Sequence, residues 1–277
     1  MGHSDFLDVA ALQMTSVDDV SKNVSMIMGL LASLEVGDRP DLVCLPENSL
    51  YLRLKEGASI PSLSLDDKRL LPLCDWARRH GSTIHLGSIP RAENGRLYNS
   101  SVLIGPDGVP RDVYRKIHLF DVDVVGHKPV RESDAFSAGT TPSIIDVCGW
   151  KIGLTICYDL RFAELFLDYA RAGVDLILIP SAFLVPTGKA HWEILTRARA
   201  IESQAYVVAA AQGGIHSDEA GHSRATYGHS MIVDPWGEVV EALPDDFGSR
   251  RVLRAKLSKL RIAQVRAQIP MSSHRRL

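Results

Sequence analysis

Apolar positions along the chain follow two periods, and they alternate. Short continuous apolar runs predict strands buried on both faces, and stretches with apolar residues every three to four positions predict amphipathic helices. On this pattern residues 9–14 read as a strand, 18–36 as a helix, 41–45 as a strand, 67–80 as a helix and 82–89 as a strand. Residues 97–104 and 109–115 then flank Gly105-Pro106-Asp107-Gly108, a turn sequence with proline at its second position, and predict an antiparallel pair. Residues 117–142 show no clear period. A segment that long without its own structure is usually functional. The strand–helix rhythm returns with a strand at 151–156, a helix at 160–172, a strand at 175–180, a helix at 190–203 and a strand at 206–211. A hairpin is expected around Asp234-Pro235-Trp236-Gly237, and the C-terminal stretch holds a strand, a helix and a basic tail. Two strand–helix–strand halves joined by hairpins predict an α/β fold with two sheets rather than one.

Composition narrows the class without changing it. The chain has 277 residues, 45% apolar and 23% charged, which is ordinary globular usage and enough for a large core without disulfides or metal. No repeat or low-complexity linker interrupts it, so one domain over 1–277 is expected. Net charge is -2 with no long basic run, which argues against a nucleic-acid partner. The start, Met1-Gly-His-Ser-Asp-Phe6, lacks the layout of a signal peptide, and position 6 breaks the myristoylation pattern. No apolar run approaches the roughly 20 residues that span a bilayer. The expectation is a cytoplasmic protein with no membrane partner, in which the sequons at Asn23 and Asn99 are chance matches. Of the four cysteines, Cys44, Cys74, Cys148 and Cys157, none forms a CxxC pair, so reduced thiols are expected. Cys44 reads as a small core residue, and Cys74 and Cys148 have no chemical context.

Cys157 differs. In Lys151-Ile-Gly-Leu-Thr-Ile-Cys157-Tyr-Asp-Leu-Arg161-Phe an apolar strand ends at the cysteine and a helix is expected shortly after. That is a setting in which α/β enzymes hold a nucleophile. A helix N-terminus there favours thiolate over thiol, and free backbone N–H groups, that of Tyr158 first, can receive an oxyanion. Context alone leaves a buried, inert cysteine equally open. Asp41-Leu-Val-Cys-Leu-Pro46-Glu47-Asn48 carries a second buried strand straight into a carboxylate. Ligands of open α/β sheets gather outside the carboxyl ends of strands, where Glu47 and Cys157 would both lie. In Tyr114-Arg115-Lys116-Ile-His118, Lys116 ends a third strand. Beside a carboxylate and a thiol it would supply a cation to a developing oxyanion; elsewhere it would be surface charge.

These three motifs in this order resemble the nitrilase superfamily of carbon–nitrogen hydrolases, and the resemblance runs from Ala10-Ala-Leu-Gln-Met14 to the tail. It implies a four-layer α-β-β-α sandwich and a Glu47–Lys116–Cys157 triad that needs no metal or cofactor. Cys157 attacks an amide carbon, and Lys116 and the Tyr158 N–H stabilise the oxyanion. Glu47 moves the thiol proton to departing ammonia and then activates water against the thioester. Glu132 in the long segment matches a second glutamate of similar enzymes. Arg161 matches a carboxylate-gripping position of some branches, with an ion pair to Asp159 or Glu164 as the alternative. The segment Ser181-Ala-Phe183-Leu-Val-Pro-Thr187-Gly-Lys-Ala-His191-Trp192-Glu193 should border the pocket, with Phe183 and Thr187 as substrate contacts. His191 and Trp192 shape the wall, and Glu193 with Arg197 reads as a helix ion pair.

Within the family, His118-Leu-Phe-Asp-Val, Arg131-Glu-Ser, Ala209-Ala-Ala-Gln212 and Tyr227-Gly-His-Ser-Met231 resemble the branch that hydrolyses deaminated glutathione. The omega-amidase branch, acting on alpha-ketoglutaramate, shares much of this, and Glu47-Asn-Ser-Leu-Tyr-Leu departs from both. The family also implies a homodimer or higher homo-oligomer, with residues 250–277 as a C-terminal extension at the interface; a disordered basic end is the alternative. The competing readings are a true nitrilase or N-carbamoyl hydrolase, a Cys–His hydrolase using His118, His191 or His229, and a scaffold that kept the fold.

Overall fold

The alternation of strands and helices becomes two sheets stacked face to face. The computed structural model describes residues 4–34, 39–124, 129–244 and 251–276. In the first half the strands are β1 (Phe6–Gln13), β2 (Leu42–Cys44), β3 (Thr83–His85), β4 (Ile89–Glu93), β5 (Arg96–Ile104), β6 (Pro110–Arg115), β7 (Asp121–Val122) and β8 (Val130–Arg131). In the second half they are β9 (Ile144–Val147), β10 (Trp150–Leu154), β11 (Leu176–Leu178), β12 (Tyr206–Ala209), β13 (Gly213–Ser217), β14 (Ser223–Tyr227), β15 (Met231–Val233), β16 (Val239–Ala242) and β17 (Arg251–Ser258). The principal helices are α1 (Val20–Ala32), α2 (Leu71–His80), α3 (Ala163–Ala172), α4 (Val185–Ser203) and α5 (Lys259–Gln268).

One sheet runs β17-β1-β2-β3-β5-β4, with β6 also on β5; the other runs β16-β15-β12-β11-β10-β9. Each has three parallel strands at its centre, β1-β2-β3 and β10-β11-β12, flanked by antiparallel ones. Side chains alternate across a strand, and here both faces are apolar. Leu7, Val9 and Ala11 of β1, with Leu42 and Cys44 of β2, face the core that contains Ile152, Leu154 and Leu176 of the second sheet. Ala10, Leu12 and Val43 face the opposite way, onto Ile27 and Leu31 of α1 and Leu73 and Trp76 of α2. Phe166 and Tyr169 of α3 and Trp192 and Ala200 of α4 are buried likewise on the second sheet. The order is helix, sheet, sheet, helix, the predicted four layers. Each fully buried Leu, Val or Phe contributes about 1.5–3 kcal/mol by transfer out of water. Cys44 is a core residue, as expected.

Several boundaries differ. The strand expected over 82–89 stops at His85; the chain turns at Gly87 and re-enters the sheet antiparallel as β4. Helix α4 starts at Val185 rather than near 190, with proline in its first turn. Gly188 weakens the helical pattern there, yet packing demands it: a Cβ would lie 2.3 Å from the Tyr227 ring. The helix expected over 160–172 is split into a 3-10 turn at Cys157–Arg161 and α3. The unpatterned 117–142 segment carries the two-residue ladder β7–β8 and a 3-10 turn at Glu132–Asp134. The ribbon β13–β14, whose sequence barely alternates, is an addition to the expected elements.

Of residues 250–277, Arg251–Ser258 pairs along the whole of β1, and α5 buries Ile262 and Val265. Arg266 ties that helix to the carbonyls of Gln204 and Val174. Asn23 and Asn99 are buried with their amides engaged, so neither sequon presents an acceptor to solvent. Among the described residues no helix is long and apolar enough to cross a membrane.

Candidate active site

Cys157 stands directly beyond the carboxyl end of β10, held in the left-handed region at φ 48°. For a residue with a Cβ that conformation costs about 1–2 kcal/mol. It is held by its own N–H to Pro180 O at 2.9 Å, and by Ile156 N–H to Asp159 Oδ2 at 2.8 Å. The turn aims the side chain out of the strand line into a pocket bounded by the long segment and the start of α4.

Glu47 arrives from the neighbouring sheet. The chain leaves β2 through Leu45, whose N–H donates to His85 O at 2.9 Å. Gln212 Nε2 holds the Glu47 carbonyl at 2.9 Å, and Asn48 follows with a left-handed φ of 56°. Gly87 permits this path: its φ is 67°, and a Cβ would stand 2.0 Å from Pro46 O. Lys116 directly follows β6, and its N–H donates to Asn99 O at 2.9 Å. Its ammonium donates to Glu47 Oε1 at 2.8 Å and to Glu132 Oε2 at 2.7 Å. Asn99 Nδ2 bridges the same two carboxylates, at 3.1 Å to each. Phe120 N–H fixes Glu132 from the other side at 2.7 Å. Four side chains from distant parts of the sequence thus close one hydrogen-bonded cluster beside the thiol.

Burial sets its electrostatics. The Lys116 side chain is 2% exposed and that of Glu47 5%. Burial would drive the ammonium to give up its proton, but the charges of Glu132, Glu47 and Cys157 outweigh it, and Lys116 is held protonated well above the usual lysine range. The Cys157 thiol is pushed well above its ordinary value, first by burial and then by the Glu47 carboxylate. Lys116 and the Ala182 N–H pull the other way without prevailing. This corrects the expectation of a thiolate at a helix N-terminus. The first α-helical residue is Ala163; Cys157 opens only a five-residue 3-10 turn, and burial outweighs what that turn offers a thiolate. Cys157 therefore rests as a buried thiol beside the Glu47 carboxylate.

A second network joins the elements that carry Lys116 and Cys157. Asp159 is fully buried. It accepts from Tyr114 OH at 2.7 Å, from His118 N–H at 3.0 Å and from Ile156 N–H at 2.8 Å, with His118 Nδ1 also at 2.7 Å. The His118 ring stacks on Phe162 at 3.6 Å between centroids. The sequence offers Asp159 only as a partner for Arg161 and no partner for His118. The motif spacing held no signal for their meeting, which depends on β6 lying over the Cys157 turn.

Of the expected substrate contacts, Arg161, Phe183 and Thr187 all line the pocket with Tyr158. Arg161 pairs with neither Asp159 nor Glu164; it meets His191 Nδ1 at 3.1 Å and lies over the Phe183 and Tyr158 rings. Thr187 Oγ1 donates to Leu184 O in the first turn of α4. Trp192 donates to His229 O, and Glu193–Arg197 forms its helix pair at 3.2 Å. Two of the pocket arginines have no signal in the sequence: Arg53, after the Glu47 turn, and Arg224, on β14. An arginine in a polar ribbon looks like surface charge until the ribbon folds over the pocket. Among the described residues no cluster of His, Cys, Asp or Glu is arranged to hold a metal ion.

Residues 8–267 match the family model of the carbon–nitrogen hydrolases. The chain is 38% identical over 277 residues to the nitrilase and fragile histidine triad fusion protein NitFhit of Caenorhabditis elegans, covering 97% of this chain and 60% of that protein. The crystal structure of that protein superposes with a TM-score of 0.88 at 36% identity, over 99% of this chain and 66% of the other. The chain therefore spans less than two thirds of that fusion protein. It is 36% identical to the deaminated glutathione amidase of Yersinia enterocolitica, over 97% of this chain and 93% of that one. To the omega-amidase NIT2-A of Xenopus laevis it is 45% identical over 204 residues, 74% of this chain and 71% of the relative.

Proposed function

The chain belongs to the carbon–nitrogen hydrolase family and is a hydrolase of carbon–nitrogen bonds; from that premise we propose that it is an amidase working through a thioester on Cys157. The observation that carries this reading is the buried cluster of Glu47, Lys116 and Glu132 in the pocket that holds the Cys157 thiol. A raised thiol needs a base, and the Glu47 carboxylate lines the same pocket and acts on its charge. Glu47 takes the thiol proton as sulfur attacks the amide carbon. The oxyanion forms beside the Lys116 ammonium and the Tyr158 N–H. Each preorganised donor or base contributes a factor of roughly a hundred or more. Glu47 returns its proton to the nitrogen as the carbon–nitrogen bond breaks, leaving the acyl group on sulfur. Water, deprotonated by Glu47, then attacks the thioester, releasing the acid and regenerating the thiol. Glu132 and Asn99 keep Lys116 and Glu47 in register. A Cys–His mechanism finds less support, because the imidazole beside the turn, His118, points at Asp159.

For substrate we propose deaminated glutathione, with alpha-ketoglutaramate as the second reading. Relatives named for both activities support it, as does Arg161 in the pocket wall. The departing nitrogen differs: alpha-ketoglutaramate, a primary amide, releases ammonia, whereas the amide of deaminated glutathione is N-substituted and releases a dipeptide amine. This refines the expectation of ammonia for every substrate. The test is a side-by-side assay with both amides, an N-carbamoyl amino acid and a simple nitrile, reading ammonia, free amine and intact mass. Hydrolysis of an amide with an acyl adduct on wild-type protein, absent from Cys157→Ala, is expected. Turnover of the nitrile alone, or no adduct and no turnover with any compound, would overturn the proposal in favour of a nitrilase or a scaffold.

We also propose that residues 1–277 work as one domain in a cytoplasmic homodimer. Ile194 and Ile201 of α4 and Leu260 and Ile269 near the C-terminus are exposed apolar side chains suited to such an interface. Sedimentation velocity of the purified chain tests it: a dimer is expected, and a monomer at micromolar concentration refutes it.

A further inference from the structure

The active-site pocket continues outward past Arg53, Ile60, Val130 and Arg224 into a second, more open cavity that those residues also line. Arg161 lies on a different wall and does not border that cavity. Arginines near the site differ in what holds them. Arg131 is committed to Asp123 at 2.8 Å and to two carbonyls, and Arg161 meets His191. Arg53 and Arg224 are partly buried, and among the described residues neither guanidinium has a hydrogen-bond or ion-pair partner. A recessed, unpaired cation is costly, and a second one nearby raises that cost. Burial lowers the proton affinity of Arg224, and the Arg53 charge adds to that, while Glu47, Cys157 and Glu132 oppose it. Both guanidinium groups line one passage, and a guanidinium pairs best with a carboxylate or similar planar anion.

We propose that Arg53 and Arg224 bind a second carboxylate of the substrate, so that the preferred substrate is a dianionic, N-substituted amide with a carboxylate on each side of the scissile bond. One carboxylate lies toward Arg161 and the other at the Arg53–Arg224 passage, with the amide carbon over Cys157 between them. This rests on the amidase reading and sharpens it: a doubly charged amide such as deaminated glutathione uses both subsites, whereas a monoanionic primary amide such as alpha-ketoglutaramate uses one.

The experiment compares KM for these two amides in wild type, Arg53→Gln, Arg224→Gln and Arg224→Lys. The charge of Arg224 is felt at Glu47 and Cys157, so kcat falls for both substrates and the KM ratio carries the test. In Arg224→Gln, KM for the dianionic amide is expected to rise about tenfold or more relative to the monoanionic one, with Arg224→Lys recovering part of it. Equal changes for the two substrates overturn the proposal. Calorimetry of both amides on Cys157→Ala and on Cys157→Ala with Arg224→Gln keeps the test independent of turnover. Undiminished binding of the dianionic amide after the second substitution also overturns it. If wild type hydrolyses neither amide the catalytic reading fails, and the calorimetry still decides the anion site.

Discussion

Glu47→Gln separates the proposed acid–base role of this side chain from its structural one. The exchange is nearly isosteric. The amide oxygen can still accept from Lys116 and Asn99, which now stand at 2.8 and 3.1 Å from Glu47 Oε1, and that leaves the NH2 group facing the sulfur. Lys116 keeps Glu132 at 2.7 Å, so its charge is not stranded and the fold should hold. What is lost is the acceptor for the thiol proton and the donor to the leaving nitrogen. General acid–base catalysis contributes about 10²–10⁴-fold, equivalent to about 3–5 kcal/mol of barrier, so kcat/KM should fall by that factor. The same change should make the thiol more acidic. Glu47 raises the Cys157 pKa through its charge and its hydrogen bond, while Lys116 and the Ala182 N–H lower it. Removing the first influence leaves the second. Steady-state hydrolysis and iodoacetamide alkylation, followed by mass across pH 6 to 10, read the two effects separately. Slower hydrolysis with faster alkylation at a given pH is expected. Retained hydrolysis, or an alkylation profile displaced to higher pH, would refute the reasoning, and a melting curve excludes unfolding as the cause.

Three further outcomes follow from the geometry. Asp159→Asn removes the charge that Tyr114 OH and two backbone N–H groups share in a fully buried site, so urea titration should show about 1.5–3 kcal/mol of lost stability and kcat should fall with it; an unchanged midpoint contradicts the proposed link between the Lys116 and Cys157 elements. Gly87→Ala places a Cβ against Pro46 O, with φ at 67°, and should cost about 2 kcal/mol or more and lower kcat at least tenfold, whereas Gly29→Ala on the open face of α1 should be neutral or stabilise by about 1 kcal/mol; equal behaviour of the two refutes the account of the Glu47 turn. His85 and His216 are buried with pKa values lowered to about 3 and about 4, so both are neutral in the native state, and their contribution, full above about pH 6.5, is lost as pH falls below it because the unfolded chain binds the protons first. Between pH 6.5 and 5 each should remove about 2 kcal/mol; denaturant midpoints at several pH values measure this, and a slope unaltered by His85→Asn argues against it.

Much of the fold was legible in the sequence because it is local. Apolar runs at 9–14, 41–45 and 175–180 are strands, the hairpin at Asp234–Gly237 joins β15 to β16, and Glu193 pairs with Arg197 one helical turn away. Cys157, Glu47 and Lys116 are each marked in the sequence as following an apolar strand in a matching motif, and the structure brings them to one pocket. What the tertiary structure decided depends on long-range meeting and on burial. Glu47 and Lys116 lie 69 positions apart and Asn99 lies 52 from Glu47, so their shared cluster exists only once two sheets stack. Asn99, a chance sequon in the sequence, is a bridge between carboxylates; Arg224, which no motif marks, lies beside the passage into the pocket. The thiol shows the division most plainly. Its position follows from a strand and a turn, which sequence encodes locally. Its protonation follows from desolvation and from charges brought by other elements, which pattern does not contain, and those set it as a thiol waiting on Glu47 rather than a thiolate at a helix end.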